Sequence, residues 1–396
     1  MLPFDDALRR ILESAPALSS ESVSLESGVG RVLAEDLIAR APLPGFDYSA
    51  MDGYAVATNA YSGAGPWALS VRGESRAGAL APELEPRSAC RIFTGAPIPV
   101  GADAVVMQED VTREGDSARF AGAPQLGAHI RRRGEDLAEG TVAMGRGTRL
   151  NAFRIGLAAA VDRGDFLVAR RPRVSILCTG EELRSPGSLA LPGTIPDSNG
   201  PSLAAMAQSA GAITRIEPRT GDTMEATEHA LRAALQETDL LLTVGGVSVG
   251  EHDLVKAALS NVGAQLDFWK VLIRPGKPLA FGRLGNTLIL GLPGNPVSAQ
   301  LTFALFGMPL LRAMQGDQKP VPARGKARLQ SALRQQPGRT GFYRAVLEGD
   351  LAITASNQAS GSPVSLAHAD ALVIVPADSS GFEAGESVDM IRLAEL

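Results

Sequence analysis

The sequence predicts a multidomain α/β protein built around a doubly wound α/β domain, and three observations carry that reading. Between Arg173 and Met314, short apolar runs alternate with segments of helical spacing, the pattern of strands joined by crossover helices. Two of the runs end in glycine-bearing turns, Gly245-Gly246-Val247-Ser248-Val249-Gly250 and Gly291-Leu292-Pro293-Gly294-Asn295-Pro296, each followed by a helical pattern. At 396 residues the chain exceeds one ordinary core, so about two to four domains are expected.

Taken in order, residues 3–14 place Phe4, Leu8, Ile11 and Leu12 on one helical face. A second short helix is expected over 29–39, stopped by Pro42 and Pro44. Residues 44–56, with Asp52-Gly53 as punctuation, read as a tight ordered loop. From Trp67 to about Met144 the chain carries short β-like segments separated by Gly and Pro, a compact all-β unit. Asn151 suits the N-cap of a helix over 151–164. Arg173-Val-Ser-Ile-Leu-Cys178 reads as a strand buried on both faces, ending in Thr179-Gly-Glu-Glu182. Asn199 is expected to cap a helix over 201–209. A strand over 213–217, a helix over 223–236, a strand over 240–244 and a helix over 251–261 follow. Strands over 279–281 and 287–290 then lead to a long helix from Pro296, capped by Asn295. Alternation of this kind implies a parallel sheet. After Lys319, Pro320 and Pro322, alternating segments suggest a small β-domain.

Composition narrows the function. The net charge of −5, and a basic run Arg131-Arg132-Arg133 followed at once by Glu135 and Asp136, argue against a nucleic-acid protein. No apolar run approaches the roughly 20 residues of a membrane span, so no membrane association is expected. Two cysteines, Cys90 and Cys178, without a CxxC partner suit a reducing cytoplasm. Four scattered histidines lack zinc spacing, so a hard cation such as Mg²⁺ held by carboxylates is the expected metal.

The loops after the predicted strands supply Glu181, Glu182, Asp222, Glu251 and Asp253. Carboxylates gathered at one sheet edge repel each other unless a cation or proton joins them. Between the two glycine turns lies the cationic run Lys270-Val-Leu-Ile-Arg274-Pro-Gly-Lys277-Pro278, so the whole stretch reads as the floor of an oxyanion or phosphate site. The first glycine turn is neither a Walker A loop nor a dinucleotide fingerprint. Ser248 has no triad partners, Cys178 reads as an inert strand residue, and His252 as a surface residue.

Together these motifs resemble the molybdopterin molybdenumtransferase family, which includes the carboxy-terminal part of gephyrin. The resemblance is carried, nearly end to end, by Ser49-Ala-Met-Asp-Gly-Tyr-Ala55, Thr94-Gly-Ala-Pro-Ile-Pro99, Gly101-Ala-Asp-Ala-Val-Val-Met-Gln-Glu109, Arg133-Gly-Glu-Asp136 and Thr179-Gly-Glu-Glu-Leu183. Asp197-Ser-Asn199, Gly245-Gly-Val-Ser-Val-Gly-Glu251, Arg274-Pro-Gly-Lys-Pro278 and Gly291-Leu-Pro-Gly-Asn-Pro-Val-Ser-Ala299 complete it. Each motif is weak alone; their order is specific.

The resemblance implies an elongated split helical/β domain (1–42 with 139–168), an inserted β-domain (43–138), an adenylyltransferase-like α/β domain (169–316) and a C-terminal β-barrel (317–396). It implies a homodimer whose active cleft is shared between subunits, and transient contact with molybdopterin adenylyltransferase and molybdoenzyme chaperones. The implied reaction is Mg²⁺-dependent insertion of molybdate into adenylylated molybdopterin with release of AMP. By resemblance Asp52, Thr94, Asp136, Glu182, Asp222 and Asp253 are catalytic, with Glu182, Asp222 and Asp253 holding the metal. Gly245, Gly246, Ser248, Lys270, Arg274, Lys277, Pro293 and Pro296 bind substrate or anion. Arg274 stands where the family commonly has lysine, and arginine suits bidentate oxyanion contact. The competing readings are an adenylyltransferase-like nucleotide-processing enzyme, against which the motifs around Asp52 and Asp136 speak, and a non-enzymatic gephyrin-like scaffold.

Overall fold

The structure is a computed structural model that describes residues 1–219, 221, 223–246 and 254–396. Its centre is a six-stranded sheet in the spatial order Ile213–Ile216, Arg173–Cys178, Leu240–Val244, Thr287–Leu292, Pro278–Leu284, Gln265–Lys270. The period-two alternation of a strand sends Ile176, Leu242 and Leu290 into one core and Leu177, Leu241 and Ile289 into the opposite one. Both faces are therefore covered, which is why these strands read as unbroken apolar runs. The first four strands are parallel, but the last two run antiparallel. That departs from the all-parallel expectation for a local reason. Gly285-Asn286 connects Leu284 directly to Thr287 as a tight hairpin, with Gly285 at φ 57°, and a two-residue turn can only join antiparallel strands.

Chain continuity breaks the expected grouping at the N-terminus. Helix Phe4–Glu13 packs Phe4, Ala7, Leu8 and Ile11 into the core of the α/β unit, where Phe4 meets Phe306 and Phe342 edge-on. Residues 29–39 form no helix; Leu37–Ile38 is a short strand paired with Val142–Met144. β-branched and bulky residues there satisfy their backbone across the chain rather than along it. Pro296–Met314 is a continuous 19-residue helix, long and apolar enough to cross a membrane, but 89% buried within the protein's own core.

Three further units surround the sheet. Strands Ser20–Ser24 and Asp165–Ala169 pair across the insertion, and Leu33, Leu37, Met144, Leu150, Phe166 and Val168 share a core. A six-stranded sheet in the order Ala104–Met107, Gly53–Val56, Ser88–Ile92, Trp67–Ser75, Ser117–Phe120, Val111–Glu114 forms the inserted β-unit. In the C-terminal sheet, Thr340–Glu348 pairs with both Leu351–Thr354 and Ala371–Val375, which closes a barrel around Leu329, Tyr343, Val373 and Met390.

The joint into the α/β unit is a bidentate ion pair. Both terminal nitrogens of Arg170 lie 2.7 Å from the Asp239 carboxylate, which also accepts the Arg173 N–H at 2.8 Å. Burial pushes the Asp239 carboxyl up, yet the Arg170 and Arg173 hydrogen bonds outweigh it and hold it below the ordinary value. A depressed carboxyl contributes stability above its unfolded pKa and loses it as pH falls through the folded value. Asp239→Asn is therefore expected to cost about 1–3 kcal/mol at neutral pH. It should also weaken the acid dependence of the melting temperature below about pH 4; unchanged melting curves would contradict this role.

Candidate active site

The parallel strands end in register: Cys178 stands beside Val244 and Val244 beside Leu292. Their following loops therefore meet at one sheet edge, beside the switch point where successive connections leave in opposite directions. There they line a cleft of about 830 Å³, walled by Thr179, Gly180, Glu182, Asn199, Gly245, Gly246 and Pro293 to Pro296. Gly245 and Gly246 both have positive φ (88° and 61°). A Cβ on Gly245 would sit 2.9 Å from the Thr179 carbonyl, and one on Gly246 would overlap the Val255 side chain. Gly246→Ala is expected to lower stability by about 1–3 kcal/mol through backbone strain alone, read as a drop in melting temperature.

The cleft's rim is tied down by side chains. Asp197, not Asn199, caps helix Asn199–Ser209, accepting the N–H groups of Asn199 and Gly200 at 3.0 and 3.1 Å. That frees the Asn199 amide to donate to the Gly294 carbonyl at 2.8 Å, coupling the helix to the second glycine turn. Asn295 likewise does not cap its helix with its side chain; it donates to Ser360 Oγ at 3.1 Å. The Val297 N–H, expected to face an anion, donates to the Ser360 carbonyl at 3.1 Å.

The cations lie in an adjoining pocket of about 400 Å³, which shares Pro278, Pro293 and Asn295 with the cleft. Arg274, Lys277 and Arg339 line it, no Asp or Glu does, and none of the three is in an ion pair among the described residues. Arg339 arrives through tertiary structure: Ile273–Arg274 pairs in parallel with Thr340 and Gly341 of the barrel. Burial pushes the Tyr343 phenol up while Arg274 and Arg339 pull it down, the net being upward, so both guanidinium groups face that ring. Gly276, at φ 102°, lets this turn lie against Thr302 where a Cβ would collide.

Of the sequence-predicted residues, the cleft gathers Glu182, Gly245, Gly246, Pro293 and Pro296, and the pocket gathers Arg274, Lys277 and Pro293. Lys270 is not among them; it lines a separate hollow with Arg10, Asp267 and Trp269. Asp222, Ser248 and Asp253, with Glu251 and His252, lie outside the described residues. Among the described residues no group of three metal-ligating side chains forms, and Glu182 is the one carboxylate of the cleft. Arg339 and Ser360 escaped sequence reading because neither sits in a recognisable motif.

Asp52, Thr94 and Asp136 occupy loops of the inserted β-unit. Asp52 accepts the Thr94 N–H at 2.7 Å and its hydroxyl at 2.8 Å. Those two bonds, backbone first, hold the Asp52 carboxyl below its ordinary value, with Arg91 adding to them. Asp136 is gripped by Arg131 at 2.7 and 2.8 Å. Strands Tyr48–Ser49 and Ile130–Arg131 pair, and the Gly95 N–H reaches the Ser49 carbonyl at 2.8 Å, so the three loops are joined. No residue of this unit lines the cleft or the cation pocket.

Comparison with known proteins bears on this arrangement. The chain matches the family models described as the MoeA N-terminal region (domain I and II) over residues 2–161, the probable molybdopterin binding domain over 175–313, and the MoeA C-terminal region (domain IV) over 326–393. It is 39% identical over 348 residues to a molybdopterin molybdenumtransferase of Haemophilus influenzae, covering 87% of this chain and 85% of that protein. It is 37% identical over 396 residues to molybdopterin molybdenumtransferase 2 of Mycobacterium tuberculosis, covering 96% and 97%. The crystal structure of a molybdopterin biosynthesis moeA protein from Pyrococcus horikoshii superposes with a TM-score of 0.87 at 30% identity, covering 99% of this chain and 100% of that one.

Proposed function

Because the chain belongs to the molybdopterin molybdenumtransferase (MoeA) family, and so is a transferase of molybdenum cofactor biosynthesis, we propose that it inserts molybdate into adenylylated molybdopterin and releases AMP. The observation that carries the proposal is the pair of adjoining compartments. The glycine-turn cleft has the size and mixed lining for an organic, phosphate-bearing substrate. The neighbouring pocket, lined by three unpaired cations and no acid, suits a doubly charged oxyanion. Their shared wall of Pro278, Pro293 and Asn295 sets the two substrates side by side without an ordering cost. In this reading the α/β unit is an adenylyltransferase-like domain, and Arg274, Lys277 and Arg339 neutralise the oxyanion while holding it beside the organic substrate.

A magnesium ion fits the donor set. Mg²⁺ is usually held by one or two carboxylates together with substrate phosphates and water, and Glu182 supplies one such carboxylate at the cleft. When bound, it supplies charge neutralisation on the phosphate oxygens. The Asp52–Thr94 and Asp136 loops complete the site from a second subunit. A homodimer is supported by the apolar face of helix Ala152–Ala160, where Phe153 is 88% exposed beside Gly156 and Ala160. The exposed cross-strand pair Ile38 and Val142 belongs to the same unit. Two free, buried thiols, Cys90 and Cys178, support a reducing, cytoplasmic setting.

The test is conversion of purified adenylylated molybdopterin with Mg²⁺ and molybdate or tungstate in turn. Oxyanion-dependent AMP release is expected, and AMP release indifferent to both oxyanions would overturn the assignment.

A further inference from the structure

We propose that Arg344 is a positioning residue for the oxyanion pocket, holding one of its walls in place and adding a buried positive charge behind it; the inference rests on the function proposed above. Arg344 lies on barrel strand Thr340–Glu348, where alternate residues face opposite ways. Tyr343 and Ala345 point into the barrel, whereas Phe342 joins the core of the α/β unit. Arg344 shares the Phe342 side and is only 1% exposed, the bulkiest of the fully buried side chains.

What covers it is the segment Asn357 to Ser360. The Arg344 guanidinium donates to the Asn357 carbonyl at 3.1 Å and to the Ala359 carbonyl at 3.4 Å. The Gln358 carboxamide clips back on both sides of the same residue, accepting the Arg344 N–H at 3.2 Å and donating to the Arg344 carbonyl at 2.9 Å. Gln358, Ala359 and Ser360 are the residues this segment presents to the pocket. Ser360 then takes the Val297 N–H and the Asn295 amide, so the wall is fastened to the barrel at one end and to the helix start at the other.

The choice of a cation here asks for an explanation. No described carboxylate pairs with Arg344, its Nε has no partner, and burial lowers its pKa with nothing acidic to offset it. Burying an unpaired charge is costly, and neutral donors can hold two carbonyl groups. A positive charge behind the wall of an anion pocket recovers part of that cost whenever an oxyanion is bound, since the protein between them screens less than water.

The experiment compares Arg344→Gln, which keeps hydrogen-bond donors but removes the charge, with Arg344→Lys, which keeps the charge but loses the fork. Molybdate and AMP binding are measured by titration calorimetry on the full chain at low and high salt. Arg344→Gln is expected to weaken molybdate about tenfold at both salt concentrations while leaving AMP unchanged, because a buried charge is little screened. Arg344→Lys should recover part of the loss. Wild-type molybdate affinity in folded Arg344→Gln overturns the inference, as does an equal loss of both ligands, which marks a purely structural role. Should Arg344→Gln fail to fold, Gln358→Ala, which loosens the same wall, decides: weakened molybdate with unchanged AMP supports the inference and unchanged molybdate overturns it. If the wild-type protein binds no oxyanion, the proposed function fails first and takes this inference with it.

Discussion

Lys277→Ala is expected to weaken oxyanion binding by about ten- to a hundredfold, the equivalent of one charge-assisted hydrogen bond. The pocket has no acid to take over a lost cation's role, so the loss falls directly on the ligand. Lys277 and Arg274 are both exposed, which places their fields partly in water. The wild-type affinity should therefore fall as salt rises, and Lys277→Ala should show the shallower dependence. Arg274→Lys keeps the charge but gives up the planar fork, so its effect should be smaller than that of Lys277→Ala. Calorimetric titration of molybdate at two ionic strengths checks both, and a salt-independent wild-type affinity would count against an electrostatic role.

A hybrid dimer carrying Asp52→Asn in one subunit and Lys277→Ala in the other should regain turnover that neither homodimer shows. Asparagine keeps an oxygen for the Thr94 N–H and hydroxyl, so the loop is retained while its charge is lost. Loss of that charge at the reacting centre is expected to cost about a hundredfold in turnover. If the cleft is shared, one site of the hybrid collects both substitutions and the other none. Hybrids isolated with two different affinity tags should then show about half of wild-type turnover per dimer. Turnover no better than either parent would mean that Asp52 and Lys277 do not meet across subunits.

Local signals made much of the architecture legible before any coordinates. Arg173-Val-Ser-Ile-Leu-Cys178 announces a strand covered on both faces, because every residue in it that can be apolar is. Asn151 is found capping its helix, accepting the Arg154 N–H at 3.0 Å, because an N-cap is settled by residues three apart. The cap at Asn199 was misread for an equally local reason: Asp197 competes two residues earlier, and a carboxylate is the better acceptor for helix N–H groups. The antiparallel edge of the sheet was present in Gly285-Asn286, a two-residue turn outweighed by the larger alternating pattern.

By itself the sequence determined what short-range chemistry decides: which runs are strands, where glycine must stand, and which residue types collect in the strand-end loops. Only the tertiary structure separated the glycine-turn cleft from the cation pocket, sent Lys270 to a different hollow, and brought Arg339, Ser360 and the buried Arg344 to the Arg274–Lys277 turn. Those neighbours are set by strand pairing between Ile273–Arg274 and Thr340–Gly341. Such contacts lie more than sixty residues apart and are fixed by the packing of whole units, for which no local pattern carries a signal.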